Sequence, residues 1–116
     1  MQYMLLIYGQ ESAWAKQSEA QQQAEMQEYF AVTTLARERG IFVSAEEFEP
    51  TSKAVTLRLR DGKRESSDGP FAETREQLGG FYLLNCKDMD EALEMAAKIP
   101  AAKNGSIEIR PIVNHG

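Results

Sequence analysis

Cysteine and histidine occur once each among these 116 residues, as Cys86 and His115, and that scarcity excludes much of the chemistry that rests on them. A lone cysteine forms no internal disulfide, and Cys86 lies in an apolar run. It reads as a buried structural thiol in a reduced, cytoplasmic protein, since a reactive thiol needs an electropositive, accessible setting. His115 stands one residue from the C-terminus, where order is usually lost, so a Cys–His or Ser–His–Asp arrangement requires the tail to fold back. No cluster of His, Cys or carboxylates has ligand spacing, and no bound metal is expected. The 13 Lys and Arg are outnumbered by 18 Asp and Glu, and the net charge of −5 argues against nucleic acid as a partner. No apolar run approaches the roughly 20 residues of a spanning helix, so no membrane association is expected. Tyr3 to Tyr8 is too short for the core of a leader, and none is expected. Gly79-Gly80 lacks the spacing of a phosphate loop, and flavin and nicotinamide fingerprints are missing, so no cofactor is expected.

What is present is ordinary in bulk and informative in pattern. A hydrophobic share of 42% and a charged share of 27% fit one globular domain, read as residues 1–113 with a short tail at 114–116. Tyr3-Met4-Leu5-Leu6-Ile7-Tyr8 is apolar on both faces, as a central strand is. Gly9 to Gln17 reads as a loop. Ser18 and Gln21 have the form of a capping box. Met26, Tyr29, Phe30, Thr33, Leu35 and Ala36 then keep helical spacing until Gly40. A second strand starts at Ile41-Phe42-Val43 and runs toward Phe48. Val55 to Arg60 alternates strictly, predicting a half-buried strand with Thr56, Arg58 and Arg60 on its polar side, and Asp61-Gly62 returns it as a hairpin. Phe81 to Cys86 is again apolar on both faces. Asp88 caps a second helix, with Glu91 in the capping-box position and Pro100 at its end. Its stripe is Met89, Ala92, Leu93, Ala96 and Ile99. Ile107 to Val113 is the last strand.

Strand, helix, strand, hairpin extension, strand, helix, strand is the order of a ferredoxin-like α+β fold, an antiparallel sheet with two helices on one face. Two helices cover only one face, yet two strands are apolar on both. Leaving the second face wet would expose a large apolar patch, and a homodimer joined sheet to sheet removes it.

The stretch Asp68-Gly69-Pro70-Phe71-Ala72-Glu73, continuing through Thr74-Arg75-Glu76-Gln77-Leu78 to Gly79-Gly80-Phe81-Tyr82, is the most informative. Asp-Gly-Pro joins a short carboxylate, a permissive backbone and a fixed φ, and so marks a tight turn. Asp68 is a candidate general base or ligand-orienting group, because a carboxylate beside apolar groups such as Phe71, Phe81 and Tyr82 has its pKa raised. Its alternative role is to accept hydrogen bonds from the turn amides after it. Glu73 and Arg75 point the same way on an extended segment, where they either orient an anionic or phenolic ligand or form a solvated ion pair. Arg58 and Arg60 read most simply as solubilising.

This stretch resembles the signature of the DGPF branch of the YCII-related proteins. The opening Met4 to Gly9, the strand start Gln77 to Tyr82 and the closing Gly105 to Pro111 are similar to the same family. The resemblance implies a dimeric α+β barrel with a cleft between sheet and helices. It also implies one of two roles. The first is a small enzyme, lyase- or dehydrochlorinase-like, acting on a phenolic or keto molecule beside the Asp-Gly-Pro-Phe loop. Asp68 would be catalytic there, and Pro70, Phe71, Glu73, Arg75, Tyr29 and Tyr82 would bind the ligand. The second is a non-catalytic ligand-binding or regulatory module paired with an extracytoplasmic-function sigma factor. A third role, a structural dimer without a ligand, needs only turn geometry and packing. The His–Asp pair suggested as the group's active centre has no histidine here. The first helix offers Tyr29 as its titratable ring, and the segment often read Arg-His-Gly-Ser is Lys103-Asn104-Gly105-Ser106.

Overall fold

The segments that are apolar on both faces do lie in the middle of a sheet. A computed structural model describes residues 1–116. Its main sheet holds β1 (Gln2–Gly9), β2 (Phe42–Glu47), β5 (Gln77–Asn85) and β6 (Ser106–Pro111) in the order β2-β5-β1-β6, every neighbour antiparallel. With β3 (Val55–Arg60) and β4 (Lys63–Asp68) set aside as a separate hairpin, this is the ferredoxin-like split βαβ arrangement. No helix is long and apolar enough to cross a membrane.

The long helix α2 (Glu19–Glu38) begins where the sequence marks it. Ser18 accepts from the Gln21 amide and the Gln21 side chain accepts from the Ser18 amide, a reciprocal capping box. Its far end closes with the Gly40 amide on Arg37 O and the Ile41 amide on Ala36 O, both 3.0 Å, the two bonds of a Schellman motif. Asp88 caps α3 (Met89–Ala96) by accepting from Glu91 N. Glu91 reaches back to Lys87 N rather than to the cap itself.

The core lies between helices and sheet. Tyr3 and Leu5 on β1, Tyr82 and Leu84 on β5, and Ile107 and Ile109 on β6 face Val32 and Ala36 of α2 and Ala92, Met95 and Ala96 of α3. Gly80 allows β2 to approach β5 closely, because a Cβ there would lie 2.5 Å from Glu46 O. That is the structural use of the Gly-Gly pair at the end of the signature.

Several expectations need correction. Gly9 to Gln17 is not all loop: Glu11–Ala15 forms a one-turn helix, α1, which has no side-chain cap to announce it. Pro100 does not end the second helix. That helix stops at Ala96, and Pro100 opens a short α4 (Ala101–Asn104), where a missing amide costs nothing. Phe30 leaves the helix stripe and is 57% exposed, while Val32 takes the buried place. The alternating strand β3 is not half-buried: Val55, Leu57 and Leu59 are 66%, 53% and 63% exposed, because the hairpin stands away from the core.

Candidate functional site

Tyr29 and Tyr82 arrive together from different elements. Tyr29 sits on α2 one turn before Thr33, and Tyr82 lies beneath them on β5. The Tyr82 hydroxyl donates to Tyr29 O at 3.0 Å and stands 3.1 Å from Thr33 Oγ1, which itself donates to Tyr29 O at 3.2 Å. Tyr29 is half-buried where α2 packs on the sheet. Burial, then the negative charge of Glu25, then Tyr82 and Glu47, push its pKa up to about 12, against a smaller opposing effect of the Ala101 main chain. Burial also raises the Tyr82 phenol, with Thr33 opposing.

Glu25 is the unexpected member. It precedes Tyr29 by one helical turn, and its Oε2 is buried without a hydrogen-bond partner. Burial, and then the nearby Glu28, raise its carboxyl above the usual carboxylate range. Glu47 comes in from β2, paired with Gly80 on the same strand pair that carries Tyr82. The sequence reading named neither carboxylate. The available signal was Glu25 itself, a carboxylate in line with Tyr29, Val32 and Ala36 on the buried helix face. A phenol that stays protonated donates a hydrogen bond, and a carboxyl whose charged form is disfavoured holds its proton to higher pH than a solvated one.

The signature loop lies elsewhere. Asp68 ends β4 and is exposed, opposite Val55. The turn after it is closed by Gly69 N on Ala54 O at 2.7 Å and Thr56 Oγ1 on Gly69 O at 2.9 Å, with no turn amide donating to the Asp68 carboxylate. Pro70, Glu73 and Arg75 are exposed, and Phe71 is 79% exposed. Phe81 packs on Phe48, ring centroids 6.0 Å apart, and Tyr82 is under α2, so neither walls Asp68. The ion pairs of the chain are those of Arg39 with Glu91 and Glu94, and Glu73 and Arg75 do not pair. Past Arg75 the loop is tied down. Gln77 Nε2 donates to Thr74 O at 2.6 Å, Ser106 donates to Glu76 at 2.8 Å, and Gln77 Oε1 accepts from Glu11 N at 3.0 Å. Glu11 in turn accepts from Thr51 N and Oγ1 at 2.9 and 3.0 Å, fixing the base of the hairpin.

Comparison with known sequences decides the family. Residues 1–115 match the YCII-related domain. The chain belongs to that family. An uncharacterized protein of Rhizobium meliloti (strain 1021) is 40% identical over 114 residues, covering 97% of this chain and 92% of the relative. Where α2 packs on the sheet, this YCII-related domain carries tyrosines and carboxylates, not imidazole. Its single thiol, Cys86, is buried, and burial followed by the charge of Glu91 raises its pKa away from the reactive thiolate form. No three His, Cys, Asp or Glu side chains gather in a way that would hold a metal ion.

Proposed function

We propose that this protein is a homodimeric, cytoplasmic member of the DGPF branch that binds a small phenolic or keto molecule in the helix–sheet cleft. Its activity would be lyase- or dehydrochlorinase-like. The observation that carries this reading is the half-buried Tyr29 phenol with Glu25 one turn away and Tyr82 beneath it. A protonated phenol donates to a ligand oxygen, and its flanking carboxylates disfavour an anion, which selects the neutral phenol or ketone. In an elimination, a carboxylate such as Glu25 removes a proton from carbon, the electron pair forms a double bond, and the leaving group departs with its electrons.

The dimer is supported by the far face of the sheet, where Met4, Leu6, Tyr8, Phe81 and Leu83 have no helix over them. Asp68, with Pro70, Phe71, Glu73 and Arg75 beside it, remains a candidate base or ligand-holding group once other surface covers it.

Thermal-shift measurements against phenols and keto acids test the cleft. A ligand at about 100 times its Kd stabilises by roughly 2.7 kcal/mol, a shift of several degrees. The expected result is a shift that disappears in Tyr29→Phe and Glu25→Gln. A shift of unchanged size in both variants would remove the cleft from the reading.

The second reading, a regulatory module for an extracytoplasmic-function sigma factor, draws on Phe71, an aromatic side chain held out to solvent on a surface loop. It predicts co-purification with such a factor that is lost in Phe71→Ala.

A further inference from the structure

A shallow groove of about 380 Å³ lies between α1 and the outer side of α2. That volume falls within the roughly 300–1,000 Å³ of small-molecule sites. Along α2 its wall is Glu19, Gln22, Gln23, Met26, Gln27 and Phe30, positions that recur at three and four residues and so share one stripe of the helix. The buried stripe of Tyr29, Val32 and Ala36 lies about a third of a turn round the same helix. The groove is therefore separate from the Tyr29 cluster.

Trp14 forms the facing wall. The helix that carries it, α1, buries no residue and has no side-chain cap. Polar ties hold it at both ends: Glu11 N donates to Gln77 Oε1 at 3.0 Å, and Gln22 Nε2 donates to Trp14 O at 3.0 Å. These bonds bring the one tryptophan of the chain into the same groove as Phe30. Neither ring belongs to the core, and Trp14 is 37% and Phe30 57% exposed. Packing of the domain does not require either ring where it stands.

The walls select by charge. Glu19 carries the one formal charge of the groove, and no Lys or Arg lines it. An anion would meet a carboxylate with no counter-charge, and the net charge of −5 on the chain adds to that repulsion. Two aromatic rings, a polarisable thioether and one carboxylate suit an alkylated ammonium ion. Its methyl groups need no hydrogen-bond acceptors, and its charge is attracted by ring faces and by the carboxylate. A bare ammonium is more strongly hydrated and needs an acceptor for each N–H.

We propose that the α1–α2 groove binds a small alkylated ammonium ion, a tertiary or quaternary amine, between Trp14 and Phe30. Met26 adds the thioether contact and Glu19 the counter-charge. Gln22 is a positioning residue, holding Trp14 through its main-chain oxygen.

Trp14 is its own reporter. Choline chloride is titrated into the whole protein at constant ionic strength, and tryptophan emission is compared with that in sodium chloride and in the neutral carbon isostere of choline. The expected result is a saturable change with choline, with the isostere binding about fivefold more weakly or worse. Glu19→Gln and Phe30→Ala, folding checked by circular dichroism, should each weaken choline binding by about fivefold. An emission change that does not saturate, or equal affinity for the isostere, overturns the proposal. So does choline binding that either variant leaves unchanged. If a variant does not fold, choline against its isostere on the wild type decides alone.

Discussion

Burial perturbs both Tyr29 and Glu25, and each leaves a signature in the pH dependence of stability. An unfolded tyrosine releases its proton near pH 10, whereas burial and the charge of Glu25 hold Tyr29 to about 12. The folded state therefore binds more protons across that window, and stability present below pH 10 is lost as pH rises from about 10 to about 12. Glu25 has the same sign at a lower pH: burial raises its carboxyl, so stability present at acid pH falls away as pH climbs through the raised value. Chemical denaturation as a function of pH should show both declines in the wild type. Tyr29→Phe should shrink the alkaline one to the part left by Tyr82 and Cys86, and Glu25→Gln should remove the acid one and gain stability at neutral pH. An unchanged profile in both variants would mean that the cleft is wetter than the structure has it. The two tyrosines were legible in the sequence as aromatic donors. Glu25 was harder to see because a carboxylate on a helix usually belongs to the solvated side, and only its place in the Tyr29, Val32, Ala36 line says otherwise.

Elements were readable wherever local chemistry and periodicity agreed. The Ser18–Gln21 box, the stop at Gly40 and the Asp61-Gly62 turn, with φ of 51° and 76°, all follow from side-chain hydrogen bonds or allowed backbone angles. Strands apolar on both faces are central because other strands flank them on both edges, while one face alone meets the helices. Legibility failed where an element is too short for periodicity, as in Glu11–Ala15 and Ala101–Asn104. It failed again at Val55 to Leu59, where alternation says that one face is apolar but not that its own chain covers it. Gly80 shows how a motif residue serves the sheet: Gly80→Ala puts a Cβ 2.5 Å from Glu46 O. The strain should cost about 1–3 kcal/mol, read as a lower urea midpoint with an unchanged slope. A midpoint equal to wild type would show that β2 yields without penalty.

At the scale of the whole molecule, one chain folds a two-layer domain and leaves the other half of its pattern unused. The helices bury Leu5, Tyr82 and Leu84, while the opposite side of the same strands keeps Leu6, Phe81 and Leu83 under no helix, and the hairpin holds three more apolar side chains in solvent. The homodimer proposed above would cover the open face of the sheet. The most direct measurement is the mass of the wild-type protein by light scattering at micromolar concentration and physiological salt. Twice the 13.0 kDa of the chain is the predicted result. A mass of 13.0 kDa, constant across the concentration range, would contradict the account.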